Sequence, residues 1–131
     1  MLPRAARLLN RRDFRAAYSR SRSYATVRLV LHVRGRGRTP AAITSELGPL
    51  RVGFSISKKT CRKAHDRNLL KRRLREITRL DILPVVRNGA ALDSVLTARA
   101  AAAESDFELL RADVRRLFQQ AGVTVSVPEA S

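Results

Sequence analysis

The chain is poor in the side chains that most protein-borne chemistry uses. Of its 131 residues one is cysteine, one is methionine, two are histidine, six are Phe or Tyr and none is tryptophan. A lone Cys61 excludes an internal disulfide and a cysteine-rich zinc site, and it reads as a small, half-buried residue of a turn. With only His32 and His65 available, a metal-free nuclease built on paired acid–base groups has little to work with. A metal-dependent nuclease needs converging carboxylates, yet Asp13, Glu46, Asp66 and Glu76 stand singly among basic residues. No apolar run approaches the roughly 20 residues of a membrane span, and the N-terminus lacks the apolar core of a secretory signal. A cytoplasmic protein with no membrane partner, no metal site and no catalytic residue of its own is expected.

What the chain has in excess is positive charge. Lys and Arg number 27 against 11 acids, a formal net charge of +16. The excess is confined to one part: residues 1–79 hold 22 Lys/Arg against four acids, and residues 80–131 hold five against seven. Such clustering makes nucleic acid the leading partner class. The first part is expected to meet RNA, and the second to be scaffold.

The organising stretch is residues 55–79. It reads as the end of a strand, a basic turn and a helix that Asp66 or Asn68 starts by capping the first free backbone N–H groups. At about 100° per residue, Arg67, Lys71, Arg75 and Arg79 form one stripe, widened by Asn68 and Arg72. Leu70, Leu74 and Ile77, flanked by Leu69 and Leu80, take the opposite side. Arg73 falls in the apolar arc and must lay its stem along the core edge. A solvated face normally interleaves charges of both signs, whereas residues 51–79 hold eleven Lys/Arg against Asp66 and Glu76. A surface so one-sided calls for a polyanion.

The runs Val-Gly-Phe-Ser-Ile-Ser-Lys-Lys (52–59) and Lys-Ala-His-Asp-Arg-Asn-Leu-Leu-Lys-Arg-Arg-Leu-Arg-Glu (63–76) resemble the bacterial ribonuclease P protein subunit and its Arg-Asn-Arg helix. The resemblance extends to Arg12-Asp13-Phe14, Leu29-Val30-Leu31 and the run 93–99, and so spans roughly residues 5–120. It departs at Leu69, which stands where the motif has its second arginine. The resemblance implies a small α+β domain of the ribosomal protein S5 domain 2-like type, with a three- to four-stranded sheet, three helices and a left-handed crossover through the basic helix. General handedness statistics alone would predict the opposite hand. It also implies that a catalytic RNA carries the chemistry with Mg2+, that precursor tRNA is the substrate, and that no protein partner is required.

The remaining chain fits around this. Residues 1–9 form a basic leader, 10–121 the domain and 122–131 a frayed tail. Asn10 is expected to cap a helix over 11–18, in which Phe14, Ala17 and Tyr18 share a face among Arg11, Arg12, Arg15, Arg20 and Arg22. Such a stripe suits a core, but aromatics among arginines also stack unpaired bases. A short edge strand is expected at Ser23 and Tyr24. In the strand 27–33, Val27, Leu29, Leu31 and Val33 face the core, with Arg28, Val30 and His32 opposite. Residues 34–49 read as a loop. The strand 50–57 buries Val52, Phe54 and Ile56 and leaves Arg51, Gly53, Ser55 and Ser57 as a shallow open trough; Gly53 alternatively marks a bulge. A turn over 81–89 and a strand over 93–99 follow. Ser105 and Glu108 make a capping box for a last helix that buries Phe107, Leu110, Val114, Leu117 and Phe118.

Two candidate surfaces result. Lys58, Lys59, Arg62, Lys63, Arg67, Asn68, Lys71, Arg72 and Arg75 are expected to neutralise phosphates of the ribonuclease P RNA. By resemblance Arg11, Arg12, Phe14, Arg15, Tyr18, His32, Ser55 and Ser57 hold the single-stranded 5′ leader of precursor tRNA. The rival from another class is a structural RNA-binding protein of ribosomal type with no linked activity.

Overall fold

The computed structural model describes residues 6–7, 11–18, 21–35, 50–86 and 92–124. Within them α1 (Arg11–Tyr18) precedes β1 (Arg22–Ala25), β2 (Leu29–Gly35), β3 (Leu50–Ser55), α2 (Ala64–Ile77), β4 (Leu92–Ala98) and α3 (Phe107–Gln120). The strands form one sheet in the order β1-β2-β4-β3. β2 is antiparallel to both of its neighbours, and β3 runs parallel to β4. A parallel pair requires a crossover, and α2 supplies it.

Alternation along the strands separates the two faces of this α+β layer. Leu29, Leu31 and Val33 of β2 and Leu50, Val52 and Phe54 of β3 join Leu96 and Ala98 in one buried cluster. α2 adds Leu70, Leu74 and Ile77, and α3 adds Leu110, Val114, Leu117 and Phe118. Both long helices therefore cover the same face of the sheet. α1 lies on the other face, where Ala17 and Val95 are fully buried with Phe14 packed against them.

Several local expectations need correction. Val27 is 73% exposed rather than core, because β2 begins at Leu29 and residues 26–28 form a turn. The Thr26 hydroxyl holds that turn by accepting from the Arg28 and Leu29 N–H groups. α2 is capped by neither Asp66 nor Asn68. It starts one turn earlier, after Lys63, which offers no side-chain cap. Its helical path also outlasts Ile77, passing through a π-helical turn (Thr78–Ile82) and a 3₁₀ turn (Leu83–Val85) where a simple turn was expected. Leu69 and Leu80 are 37% and 46% exposed, so neither shares the burial of the stripe they flank.

At α3 the capping box gives way to Asp106, whose Oδ1 accepts from the Leu109 N–H at 2.9 Å. Ser105 instead donates to the Ala101 carbonyl and accepts from Arg28 Nε. The start of the expected frayed tail is packed: Val123 and Thr124 are buried, and Thr124 bridges to Val86. Gly122 permits that return with φ at +74°, a left-handed conformation that suits glycine after a helix. At the other end Ala6 is buried in the core and Arg7 pairs in parallel with Val52, so this part of the basic leader edges the sheet. The Asn10 cap, the centre of the 34–49 loop and residues 125–131 lie outside the described residues.

Candidate RNA-binding surface

The sheet register assembles the first surface. On the α1 side, β1, β2, β4 and β3 place Ala25, Val30, Thr97 and Ser55 in one row and Ser23, His32, Val95 and Gly53 in the next. α1 crosses these rows. Phe14 is half-buried on Val95, whereas Tyr18 is 40% exposed. Tyr18 meets the His32 ring edge-on with centroids 4.8 Å apart, and its hydroxyl hydrogen-bonds Thr97 Oγ1 at 3.1 Å. Ser55 is half-buried beside Thr97, and Ser57 is exposed just beyond β3. Arg11, Arg12 and Arg15 project from α1 as exposed cations. The structure thus brings Phe14, Tyr18, His32 and Ser55 together, and the two readings of the aromatic stripe divide between its rings: Phe14 serves packing, and Tyr18 keeps a face open.

Burial lowers the His32 pKa from its ordinary value, so the imidazole is neutral at physiological pH and donates or accepts without carrying charge. Thr97 is the residue that strand alternation did not single out. Its position opposite Ser55 and Val30 depends on pairing between distant strands.

The open trough is shorter than expected, because Arg51 and Gly53 are buried. Arg51 forms a bidentate ion pair with Asp93, with Nε to Oδ1 at 2.8 Å and Nη2 to Oδ2 at 2.7 Å. The register sets Arg51 directly opposite Asp93 on adjacent strands. This cation is an element of the fold and not of the RNA-facing surface.

The second surface is the outer side of α2 and the turn before it. Lys58, Lys59, Arg62, Lys63, Asn68 and Arg72 are exposed, and Lys71 is half-buried. Among the described residues no ion pair engages Lys58, Lys59, Arg62, Lys63, Lys71 or Arg72. Arg67 departs from the stripe, because its Nη1 donates to the Cys61 and Arg62 carbonyls at 2.9 Å each and ties the turn to the helix. Arg75 lies with its guanidinium carbon 6.0 Å from the Phe54 ring centroid, and its buried Nε has no hydrogen-bond partner among the described residues. Arg79 pairs with Glu76, which holds that carboxyl below its usual range, and so drops out of the free cations. Cys61 is buried, and desolvation pushes its thiol upward, followed by the nearby Asp66 charge. It is an inert structural residue.

Among the described residues no three His, Cys, Asp or Glu side chains converge. Asp81, Asp93 and Asp113 are each already held by an arginine. No helix of the described residues is long and apolar enough to cross a membrane.

Comparison with known proteins gives the family. The family model Ribonuclease P matches residues 2–122. The ribonuclease P protein component of Symbiobacterium thermophilum is 39% identical over 123 residues, covering 93% of this chain and 96% of that protein. That of Cyanothece is 32% identical over 130 residues, covering 94% and 97%. Among solved structures, the RNase P protein of Thermotoga maritima in complex with 1-(4-fluorophenyl)-2-thiourea superposes with a TM-score of 0.71 at 29% identity. That match covers 87% of this chain and 98% of the other. The chain belongs to the bacterial ribonuclease P protein family, the protein component of a ribonucleoprotein endoribonuclease.

Proposed function

We propose that the two surfaces divide the work of a ribonuclease P protein between two RNAs. The outer side of α2, with Lys71, Arg72 and Arg75, and the turn carrying Lys58, Lys59, Arg62 and Lys63 neutralise phosphates of the RNA subunit. The groove of Phe14, Tyr18, His32, Ser55 and Ser57, flanked by Arg11, Arg12 and Arg15, holds the 5′ leader of precursor tRNA. The observation that carries this reading is the meeting of the exposed Tyr18 with His32 and Thr97 on the α1 side of the sheet, beside Arg11, Arg12 and Arg15, which are exposed and form no ion pair among the described residues. An exposed aromatic face stacks a base at ~1–3 kcal/mol, and the neighbouring hydroxyls and neutral imidazole donate to phosphate or sugar.

In this reading the RNA subunit supplies the Mg2+ and the chemistry, and the protein raises affinity for leader-bearing substrate and lessens the magnesium needed. It works in the cytoplasm and requires no other protein. The α2 crossover is left-handed, as in ribosomal protein S5 domain 2-like folds. Support comes from family membership and from the parallel β3–β4 pair that α2 connects.

Reconstitution tests the reading. Mixed with a ribonuclease P RNA at low magnesium, the protein restores 5′ cleavage of precursor tRNA. Tyr18→Ala weakens leader-bearing substrate about tenfold and spares mature tRNA. Failure to rescue cleavage favours a structural RNA-binding protein without linked activity. Equal loss for both substrates removes Tyr18 from the leader site.

A further inference from the structure

A cleft of about 500 Å³ opens at the end of the sheet where β1 turns into β2, bounded by Val27, Arg28, Arg99, Asp113 and Arg116. Its lining joins the turn between β1 and β2 to Arg99, Asp113 and Arg116 of the part of the chain that charge counting marks as scaffold. That count misleads locally because the acids are already engaged. Asp113 accepts from Arg28 Nη1 and from the Thr26 hydroxyl, both at 3.1 Å. Arg28 Nε donates to Ser105 Oγ at 2.9 Å, which fixes the guanidinium and leaves its Nη2 N–H groups unassigned. Arg99 and Arg116 are exposed and form no ion pair among the described residues. One acid against three arginines makes the cleft cationic.

Its position relative to the groove gives the cleft a ligand. β3 and β4 are parallel to each other and antiparallel to β2, so the ends of β3 and β4 and the start of β2 bring Ser57, Arg99 and Arg28 out along one end of the sheet. Hydrogen bonds tie that end together: Thr60 Oγ1 to the Ala98 carbonyl at 3.3 Å, and the Arg99 N–H to the Arg28 carbonyl at 2.8 Å. Arg99 is two residues beyond Thr97, about 7 Å along the strand. A strand of RNA resting on Tyr18, His32 and Thr97 and running off this end of the sheet meets Arg99 first, then the cleft.

We propose that this cleft is a phosphate subsite for single-stranded RNA, in which Arg99 and Arg116 hold the 5′ extension of the precursor after it leaves the Tyr18 groove. Arg28 forms a fixed cationic floor, and the exposed Val27 offers apolar contact to a sugar or base. The inference rests on the leader-binding reading of the groove and extends it outward.

The test uses the holoenzyme assembled from the full chain and a ribonuclease P RNA, with precursors whose leaders lengthen one nucleotide at a time. The wild type gains affinity in a second step once the leader reaches the cleft. An Arg99→Ala/Arg116→Ala variant loses that step, about tenfold, and its salt dependence for long-leader substrate becomes shallower by about 1.4 in log–log slope. Short-leader precursor, mature tRNA and the RNA subunit bind it as they bind the wild type. The paired Lys variant retains the step. An equal loss for short and long leaders, a loss of affinity for the RNA subunit, or no change at low salt overturns the subsite. Tyr18→Ala separates the two claims: if it discriminates leader-bearing from mature tRNA and the arginine variant does not, the subsite alone falls.

Discussion

α2 and α3 are each 14 residues long, cover the same face of the sheet and bury comparable apolar stripes, yet they treat charge in opposite ways. α3 begins on a side-chain cap from Asp106, its Arg111 is bidentate to Asp81, and its Asp113 is held by Arg28. α2 begins after a lysine with no side-chain cap, and its Lys71 and Arg72 have no acidic partner among the described residues. Ions satisfied within the fold, as Arg111 and Asp113 are, need nothing more, and Arg116 at the cleft is an exception on α3. A helix whose cations face outward in a row is destabilised by self-repulsion until a polyanion arrives. The contrast separates a supporting helix from a binding one more sharply than counting arginines does.

The largest expected effect comes from the cation that behaves like α3's although it lies in the basic part of the chain. Removing Arg51 takes a bidentate partner from the buried Asp93, so Arg51→Ala is expected to destabilise the protein by about 3–5 kcal/mol. Arg72→Ala should stay within about 0.5 kcal/mol. Urea unfolding of both variants measures this. Replacing Arg51 and Asp93 together with apolar residues of similar size should recover much of the loss, because both charges of the buried pair are removed together. A cost at Arg51 no greater than at Arg72 would erase the distinction between fold cations and binding cations.

On RNA the order reverses. Reversing Lys71 and Arg72 to Glu is expected to weaken the complex with ribonuclease P RNA by two orders of magnitude or more at physiological salt. Neutralising both to Ala should flatten the log–log salt slope by about 1.4–1.8. The matched change on α3, Arg111→Ala, should leave RNA affinity alone and cost stability through Asp81. Binding titrations across a salt series measure both. Equal RNA losses from the two helices would mean that the charge pairing of α3 is irrelevant to function.

The helix starts sharpen the comparison further. Asp106→Ala is expected to cost about 1 kcal/mol by stripping α3 of its cap. Lys63→Ser should do the opposite to α2, adding a cap worth ~0.5–1 kcal/mol while weakening RNA binding by the loss of one phosphate contact. Thermal melts of the free protein beside RNA titrations would reveal a gain in stability and a loss of affinity in one variant.

How much of this was legible depends on how local the cause is. The α2 and α3 stripes repeat every three to four residues, and their buried members were readable from spacing alone: Leu70, Leu74 and Ile77, then Leu110, Val114, Leu117 and Phe118. The family resemblance supplied the proposal of a leader groove that spacing left open. Alternation put Arg51 on the correct face of its strand, but it does not say what covers that face. Covering depends on Asp93, 42 residues away, brought opposite by strand pairing. Val27 failed for a related reason, since period 2 cannot show where a turn interrupts it. Ser105-x-x-Glu108 satisfied the capping-box pattern, yet Asp106 one residue later provides the cap because Ser105 is engaged by Arg28 and Ala101. Thr97 entered the site only through tertiary contact with Tyr18.

The smallest expected effect concerns the groove and not the helices. His32 has its pKa lowered by burial in the fold. The unfolded chain therefore takes up a proton at a higher pH than the folded one. The stability that neutral His32 contributes is complete above the unfolded value near 6.5 and is lost as pH falls through the lower folded value. His32→Gln should abolish this component, so the wild type loses more stability than the variant on acidification below about pH 6.5. The imidazole NMR titration should show His32 with its midpoint below that value, and leader RNA, by favouring the charged ring, should move the midpoint upward. A phosphate beside the ring produces that rise in the RNA-bound state, whereas a midpoint unmoved by leader RNA would leave Tyr18 to stack alone and confine His32 to packing.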